Sequence, residues 1–160
     1  RIDGFSFRRI ENTYDPKELF EFNKKHGSNQ YNFIPDGPVQ AHFDRLACGE
    51  TVVYGAFRQA EAVEAGDELV GLISAEAGSG YWHSTIPLAQ QACWFICEFV
   101  VSAKMQGRGI GTALISQLTQ GLFSGHTTGI KEVYTTVHHD NGPSKAAFLK
   151  AGFDEVVSYD

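Results

Sequence analysis

The stretch MQGRGIGTALI, Met105 to Ile115, places glycine at positions 107, 109 and 111 and then turns apolar. Glycine is a poor helix former, so a helix that opens this way gives up stability relative to alanine. What bare backbone offers there is anion chemistry. The free N–H groups of a first helical turn point outward, and the helix dipole adds partial positive charge. Missing side chains let a phosphate approach closely. Arg108 adds a formal charge nearby. The other use of such glycines is a tight turn with close helix packing.

Two phosphate-binding patterns fail on inspection. A Walker A loop needs Lys before Ser or Thr, and here Gly111 precedes Thr112 directly. A dinucleotide fingerprint needs a glycine where this chain has Thr112. It also needs an acid at the end of the next strand, where the chain has His138 and His139. The spacing that fits is Q-x-x-G-x-G, carried by Gln106, Gly109 and Gly111.

The elements that must position this turn follow from periodicity. FSFRRI alternates as a strand. PKELFEFNKKH reads as a helix from Pro16, with Asp15 as N-cap, Leu19, Phe20 and Phe22 on its apolar side, and Gly27 as its stop. SNQYNFIPDGP reads as a loop, VQAHFDRLA as a short helix, and TVVYGAFRQ with ELVGLISAEAG as a hairpin. SGYWHSTIPLAQQ is a long aromatic-bearing loop. ACWFICEFVVS is a near-continuous apolar run, as expected of a strand buried on both faces.

A helix from Gly109 to Phe123 follows, with Ile110, Leu114, Leu118 and Leu122 forming one apolar stripe. IKEVYTTVHH is β-branched and aromatic and predicts a strand. Pro143 opens a last helix and Gly152 closes it; FDEVVSY predicts a final strand. The order β-α-α-β-β-β-α-β-α-β predicts an α/β (α+β) fold. Its mixed sheet of about six strands is flanked by about four helices, antiparallel in the first half, with a β-α-β crossover at the glycines.

Bulk properties narrow the class. The 160 residues suit a single domain, residues 1–160, with 42% hydrophobic and 20% charged residues. No apolar run reaches the ~18 residues of a membrane span, and RIDGFSFRRI has no signal-peptide core. The absence of an initiating Met implies a piece trimmed at its ends. A formal net charge of −6 argues against a nucleic-acid partner and suits a cationic substrate.

Cys93 and Cys97, if on one strand, lie about 13 Å apart, too far for a disulfide. Their C-x-x-x-C spacing lacks the companion pair of a zinc site, so no metal is expected. Reduced thiols imply a cytoplasmic protein.

The Gln106-Gly109-Gly111 spacing behind FVVSAKM resembles the acetyl-CoA motif of the GCN5-related N-acetyltransferase (GNAT) superfamily. NGPSKAAFLKAGF, after VYTTVHHDN, resembles that family's N-x-x-[AS]-x-x-x-[YF]-x-x-x-G-F helix. The resemblance spans nearly the whole chain and implies the fold above, with acetyl-CoA as co-substrate. It implies that backbone groups of Phe99 and Val101 pair with the pantetheine arm. The N–H groups of Gln106, Gly107, Arg108, Gly109, Ile110 and Gly111 would hold the pyrophosphate. Asn141 and Ser144 would lie beside the cofactor, although Asn141 also suits an N-cap. The family usually ends in two strands after G-F, and here seven residues follow Phe153.

Acyl transfer to an amine needs an oxyanion donor, for which a backbone N–H of the fourth strand is the candidate, and a base. Family members carry the base at positions matching Phe95 or Cys97, neither of which is a usual base here. Glu98 is adjacent, and simple alternation puts it on the opposite face unless a bulge re-aims it. Other members use the position of Thr136. Alternation groups Tyr134, Thr136 and His138 on one face, with His139 on the other. His138, with an intrinsic pKa near 6.5, is the imidazole candidate. Both candidates have structural readings, Glu98 as an ion-pair carboxylate and His138 as a strand-end histidine. Tyr31, Tyr81, Trp82 and His83 are candidates to line the acceptor site, and Asp36 or Asp44 could meet a cationic amine.

The expected activity is N-acetylation of a primary amine on a small molecule or peptide, by a monomer or homodimer without nucleic acid or membrane partners. The alternatives are a non-catalytic acyl-CoA-binding or sensing module and, further off, a nucleotide-binding domain.

Overall fold

A computed structural model describes residues 2–28, 35–61, 66–77, 93–126 and 132–155. Within them the order is β1 (Phe5–Arg9), α1 (Pro16–Gly27), α2 (Asp36–Asp44), β2 (Thr51–Arg58), β3 (Glu68–Ala77), β4 (Cys93–Val101), α3 (Ile110–Gly121), β5 (Glu132–Tyr134) and α4 (Gly142–Lys150). The five strands form one sheet in sequential order. The first four pair antiparallel, and β5 joins β4 parallel across the α3 crossover.

This is the expected α/β architecture, with four helices and five strands rather than about six among the described residues. Phe153 to Glu155 form no strand, and the rest of FDEVVSY lies outside the described residues. The helix expected at Val39 begins earlier, at Asp36, and runs into a 3₁₀ turn over Arg45–Cys48. Among the described residues of IKEVYTTVHH, the strand covers Glu132 to Tyr134. No helix among the described residues is long and apolar enough to cross a membrane.

Local chemistry accounts for the helices. Asp15 caps α1 by accepting from the Lys17 N–H at 2.9 Å, with Pro16 at the first position. The α3 stripe of Ile110, Leu114, Leu118 and Leu122 is fully buried, and α3 passes at Leu122 into a wider π turn.

Helices cover both faces of the sheet. On one, α3 and α4 pack on Val52, Tyr54, Ala56, Ile73, Trp94 and Ile96. On the other, Leu19 of α1 with Val39 and Phe43 of α2 packs on Val53, Phe57 and Leu72. Burying a Leu or Phe side chain is worth about 1.5–3 kcal/mol, so each face alone commits the sheet register.

Candidate active site

The glycine turn sits where β4 feeds α3. Gly107 and Gly109 have φ of 81° and 83°, the left-handed region that favours glycine, and Gly109 is the N-cap of α3. Gly111 has a different reason to be bare: a Cβ there would meet the Phe99 ring at 3.0 Å. The first backbone bond of α3 runs from Ala113 N to Gly109 O. The N–H groups of Ile110, Gly111 and Thr112 therefore have no helical partner. Gln106 to Gly109 are exposed, and Arg108 stands among them. The sequence thus produces an open row of donors at the positive end of a helix.

Beside this turn the sheet parts. Pairing of β4 with β5 ends at Phe95 opposite Tyr134. Beyond it the Thr135 hydroxyl donates to the Ile96 carbonyl at 3.3 Å, while β4 continues to Val101. Phe99 and Val101 lie on this far portion, their side chains half-buried against the α3 side. Their backbone edge towards β5 has no strand beside it among the described residues.

At the point of parting, β4 carries a bulge. Ser74 of β3 faces Glu98 and Ala75 faces Ile96, so Cys97 is the extra residue. One inserted residue reverses the alternation beyond it. Trp94 and Ile96 face α3, and so do Phe99 and Val101. Cys97 and Glu98 both turn to the α1/α2 side, where Cys97 Sγ lies 3.5 Å from Glu76 Oε2 and Glu98 accepts from Asn23 Nδ2 of α1 at 2.8 Å. Glu98 is thus re-aimed as a bulge would do.

Around it lies a buried polar layer that periodicity alone does not reveal. His42 Nε2 is 2.6 Å from Ser74 Oγ, and its Nδ1 is 3.3 Å from Glu76 Oε1. Arg45 donates to Glu76 Oε1, and the Thr51 hydroxyl donates to the His42 carbonyl at 2.6 Å. Burial pulls the His42 pKa down to about 4, opposed by the Glu98 charge and reinforced by Arg45. The ring is therefore neutral at pH 7. A neutral ring carries one proton, so the tautomer decides which donates, Nδ1 towards Glu76 or Nε2 towards Ser74. The order matches a serine–histidine–acid triad, but Ser74 and His42 are 0% exposed, so that serine meets no substrate. Asn23 Oδ1, also buried, has no hydrogen-bond partner among the described residues.

The signal for this layer was present in β3. Ser74 and Glu76 interrupt an apolar strand at i and i+2, which places two polar groups on one buried face.

The remaining candidates fall in three places. His138 is exposed past the end of β5, its Nδ1 accepting from the Asp140 N–H at 3.1 Å. His139 does not point away from it. The rings stack with centroids 4.6 Å apart, because the strand has ended and the chain is turning into α4. Tyr134 stays protonated, pushed up to about 12 chiefly by its hydrogen bond to the Glu132 carboxylate.

Asn141 caps α4, its Oδ1 accepting from the Ser144 N–H at 3.4 Å. Asp36 is held by Lys24 at 2.7 Å, and Asp44 accepts from Gln40 at 2.9 Å. Tyr31, Tyr81, Trp82 and His83 lie outside the described residues.

Comparison with known proteins agrees with this fold. Among solved structures, Arabidopsis thaliana NAA60 in complex with a bisubstrate analogue superposes with a TM-score of 0.68 at 20% identity, covering 96% of this chain and 85% of that one. An aminoglycoside acetyltransferase, meta-AAC0020, from an uncultured soil metagenomic sample gives 0.65 at 15% identity, covering 99% and 95%. A predicted acetyltransferase with acetyl-CoA from Clostridium acetobutylicum gives 0.66 at 14%, covering 97% and 93%. At such identities the likeness is one of fold. No curated protein matches the chain. The model of the acetyltransferase (GNAT) family matches residues 11–153, and the chain belongs to that family.

Proposed function

We propose that the chain moves an acetyl group from acetyl-CoA to a primary amine of a small molecule or peptide, by direct attack in a ternary complex. The observation that carries this reading is the parting of β4 from β5 after Phe95, in line with the open N–H row behind β4. An extended arm fits the free edge as an added strand, and a pyrophosphate fits the helix N-terminus. Acetyl-CoA supplies the thioester whose acyl group is transferred.

In this reading the backbone of Phe99 and Val101 binds the arm. The N–H groups of Gln106, Gly107, Arg108, Gly109, Ile110 and Gly111 bind the phosphates, with the Arg108 side chain adding charge. Ser144 and Asn141 approach from α4; Asn141 Oδ1 is engaged in the cap, which leaves its Nδ2 as the contacting group. Backbone N–H at the β4 bulge polarises the acyl oxygen. Glu98 takes the amine proton, oriented by Asn23, and His138 is the alternative base. Tyr31, Tyr81, Trp82 and His83, in segments that read as loops from sequence, would line the acceptor site.

The test is a panel of amines with released thiol as readout, beside acetyl-CoA binding by titration calorimetry. Arg108→Glu changes an exposed residue and should weaken acetyl-CoA at least tenfold, ~1.4 kcal/mol. An unchanged Kd would remove the turn from the cofactor site. Tight binding without turnover on any amine would favour the sensing module instead.

A further inference from the structure

The buried layer under the β4 bulge brings three different metal-binding side chains together from three elements: His42 of α2, Glu76 of β3 and Cys97 of β4. We propose that these three residues form a binding site for a zinc-type divalent cation. The site lies on the α1/α2 face of the sheet and does not depend on the acetyl-transfer reading.

The geometry is close to what such an ion needs. The ligating atoms all lie within 4.8 Å of one another. His42 Nδ1 is 3.3 Å from Glu76 Oε1, and Cys97 Sγ is 3.5 Å from Glu76 Oε2. A tetrahedral zinc ion, about 2.0–2.2 Å from O and about 2.3 Å from S, has an S–O edge of roughly 3.6 Å, close to the spacing of Cys97 Sγ and Glu76 Oε2. Nitrogen, sulfur and oxygen donors together select zinc or cobalt over the hard cations magnesium and calcium.

The surroundings complete the case. Ser74 Oγ, 2.6 Å from Nε2, is placed to accept the ring N–H when Nδ1 is the ligand. A metal-bound imidazole needs such a partner to fix its orientation. Arg45 holds Oε1 of Glu76, so Oε2, the oxygen facing Cys97, is the one for the ion. The ion, one thiolate and one carboxylate sum to zero; since one proton leaves, uptake adds a single positive charge to the layer, beside an Arg45 side chain that is 37% exposed. Three protein donors leave one coordination position open.

Uptake balances simply. Cys97 releases its thiol proton to solvent, and the neutral His42 ring carries its proton on Nε2 when Nδ1 binds the ion. One proton leaves per ion bound, and nothing is oxidised or reduced.

The test uses the full chain with Co2+ as the probe, under a phosphine reductant and without CoA, whose own thiol binds these metals. We expect one Co2+ per chain, a thiolate-to-cobalt charge-transfer band, and loss of that band when Zn2+ displaces Co2+. Proton release should be one per ion. Cys97→Ser should abolish the band, and Ser74→Ala should weaken binding about tenfold. A Cys48→Ser/Cys93→Ser chain, in which Cys97 is the one remaining thiol, should keep the band, so the assignment stands even where Cys97→Ser fails to fold. His138→Ala/His139→Ala should keep it too, since those exposed rings form a separate cluster with Asp140. Absence of the band in the wild-type chain or in the Cys97-only chain would overturn the proposal. So would its survival in folded Cys97→Ser or its loss with His138 and His139.

Discussion

Glu98 and Phe148 show how a single position decides what chemistry is available. Glu98 is 6% exposed and hydrogen-bonded by Asn23. Gln in its place offers Asn23 the same acceptor oxygen but takes no proton. Glu98→Gln should therefore fold and lose about 10²-fold in kcat, with KM little changed, as for removal of a general base. A loss under threefold on an amine found in the panel would pass the role to His138. His138→Ala, at an exposed site, would then carry the kinetic loss with less than about 0.5 kcal/mol in stability. Phe148 stands where many family members carry a tyrosine. Its ring packs edge-on to Phe99 at 5.2 Å and Phe153 at 5.1 Å. A hydroxyl added in this apolar cluster without a partner should cost about 1–3 kcal/mol, read by urea denaturation. A thiolate leaves readily without an acid, its pKa being near 8.5. Phe148→Tyr should accordingly raise kcat no more than about tenfold, and a hundredfold gain would show that a missing acid limits the natural chain.

At the scale of elements, the turn between β4 and α3 uses its glycines for two different reasons, and substitution separates them. Gly107→Ala meets no atom within 4 Å but must hold φ near 81°, which should cost about 1–2 kcal/mol in strain alone. Gly111→Val meets the Phe99 ring, so it should destabilise by a further mechanism, overpacking, at about 1–3 kcal/mol. Because Phe99 borders the free edge of β4, Gly111→Val should also weaken acetyl-CoA more than Gly107→Ala does at equal stability loss. Equal Kd values in the two would mean that the Phe99 ring has no part in shaping the cradle. The anion motif and α3 stripe were legible because both are local: glycine spacing and a 3.6 period. The β4 bulge was not. Whether Glu98 shares a face with Cys97 depends on which residue β3 leaves unpaired, and that is settled by Ser74 facing Glu98 across the sheet. The short β5 was missed for a related reason. Thr135 to His139 have strand propensity, but β4 diverges and offers them no ladder.

For the molecule as a whole, the layers were legible from sequence because each helix and strand carries its own apolar period. The polar layer between α1, α2 and the sheet was not, since Asn23, His42 and the Ser74–Glu76 pair come from three separate elements. A whole-molecule property that sequence does give is charge: 19 acidic against 13 basic side chains, a formal net of −6. An excess of one sign raises the local concentration of oppositely charged solutes, and salt removes the effect over a Debye length of about 10 Å at 0.1 M. If the acceptor is an amine, a polyamine should feel this field several times more strongly than a monoamine. Raising KCl from ~0.02 to ~0.3 M should then lower kcat/KM about tenfold for a triamine but less than about twofold for a monoamine of similar length. The loss should appear in KM, because the field acts on encounter and binding rather than on the acyl transfer step. Acetyl-CoA is held saturating throughout, so that salt effects on phosphate binding at Arg108 do not enter. Parallel salt dependence for the two amines would show that the acidic excess lies away from the acceptor path. A triamine rate that rose with salt would mean that the path itself is basic.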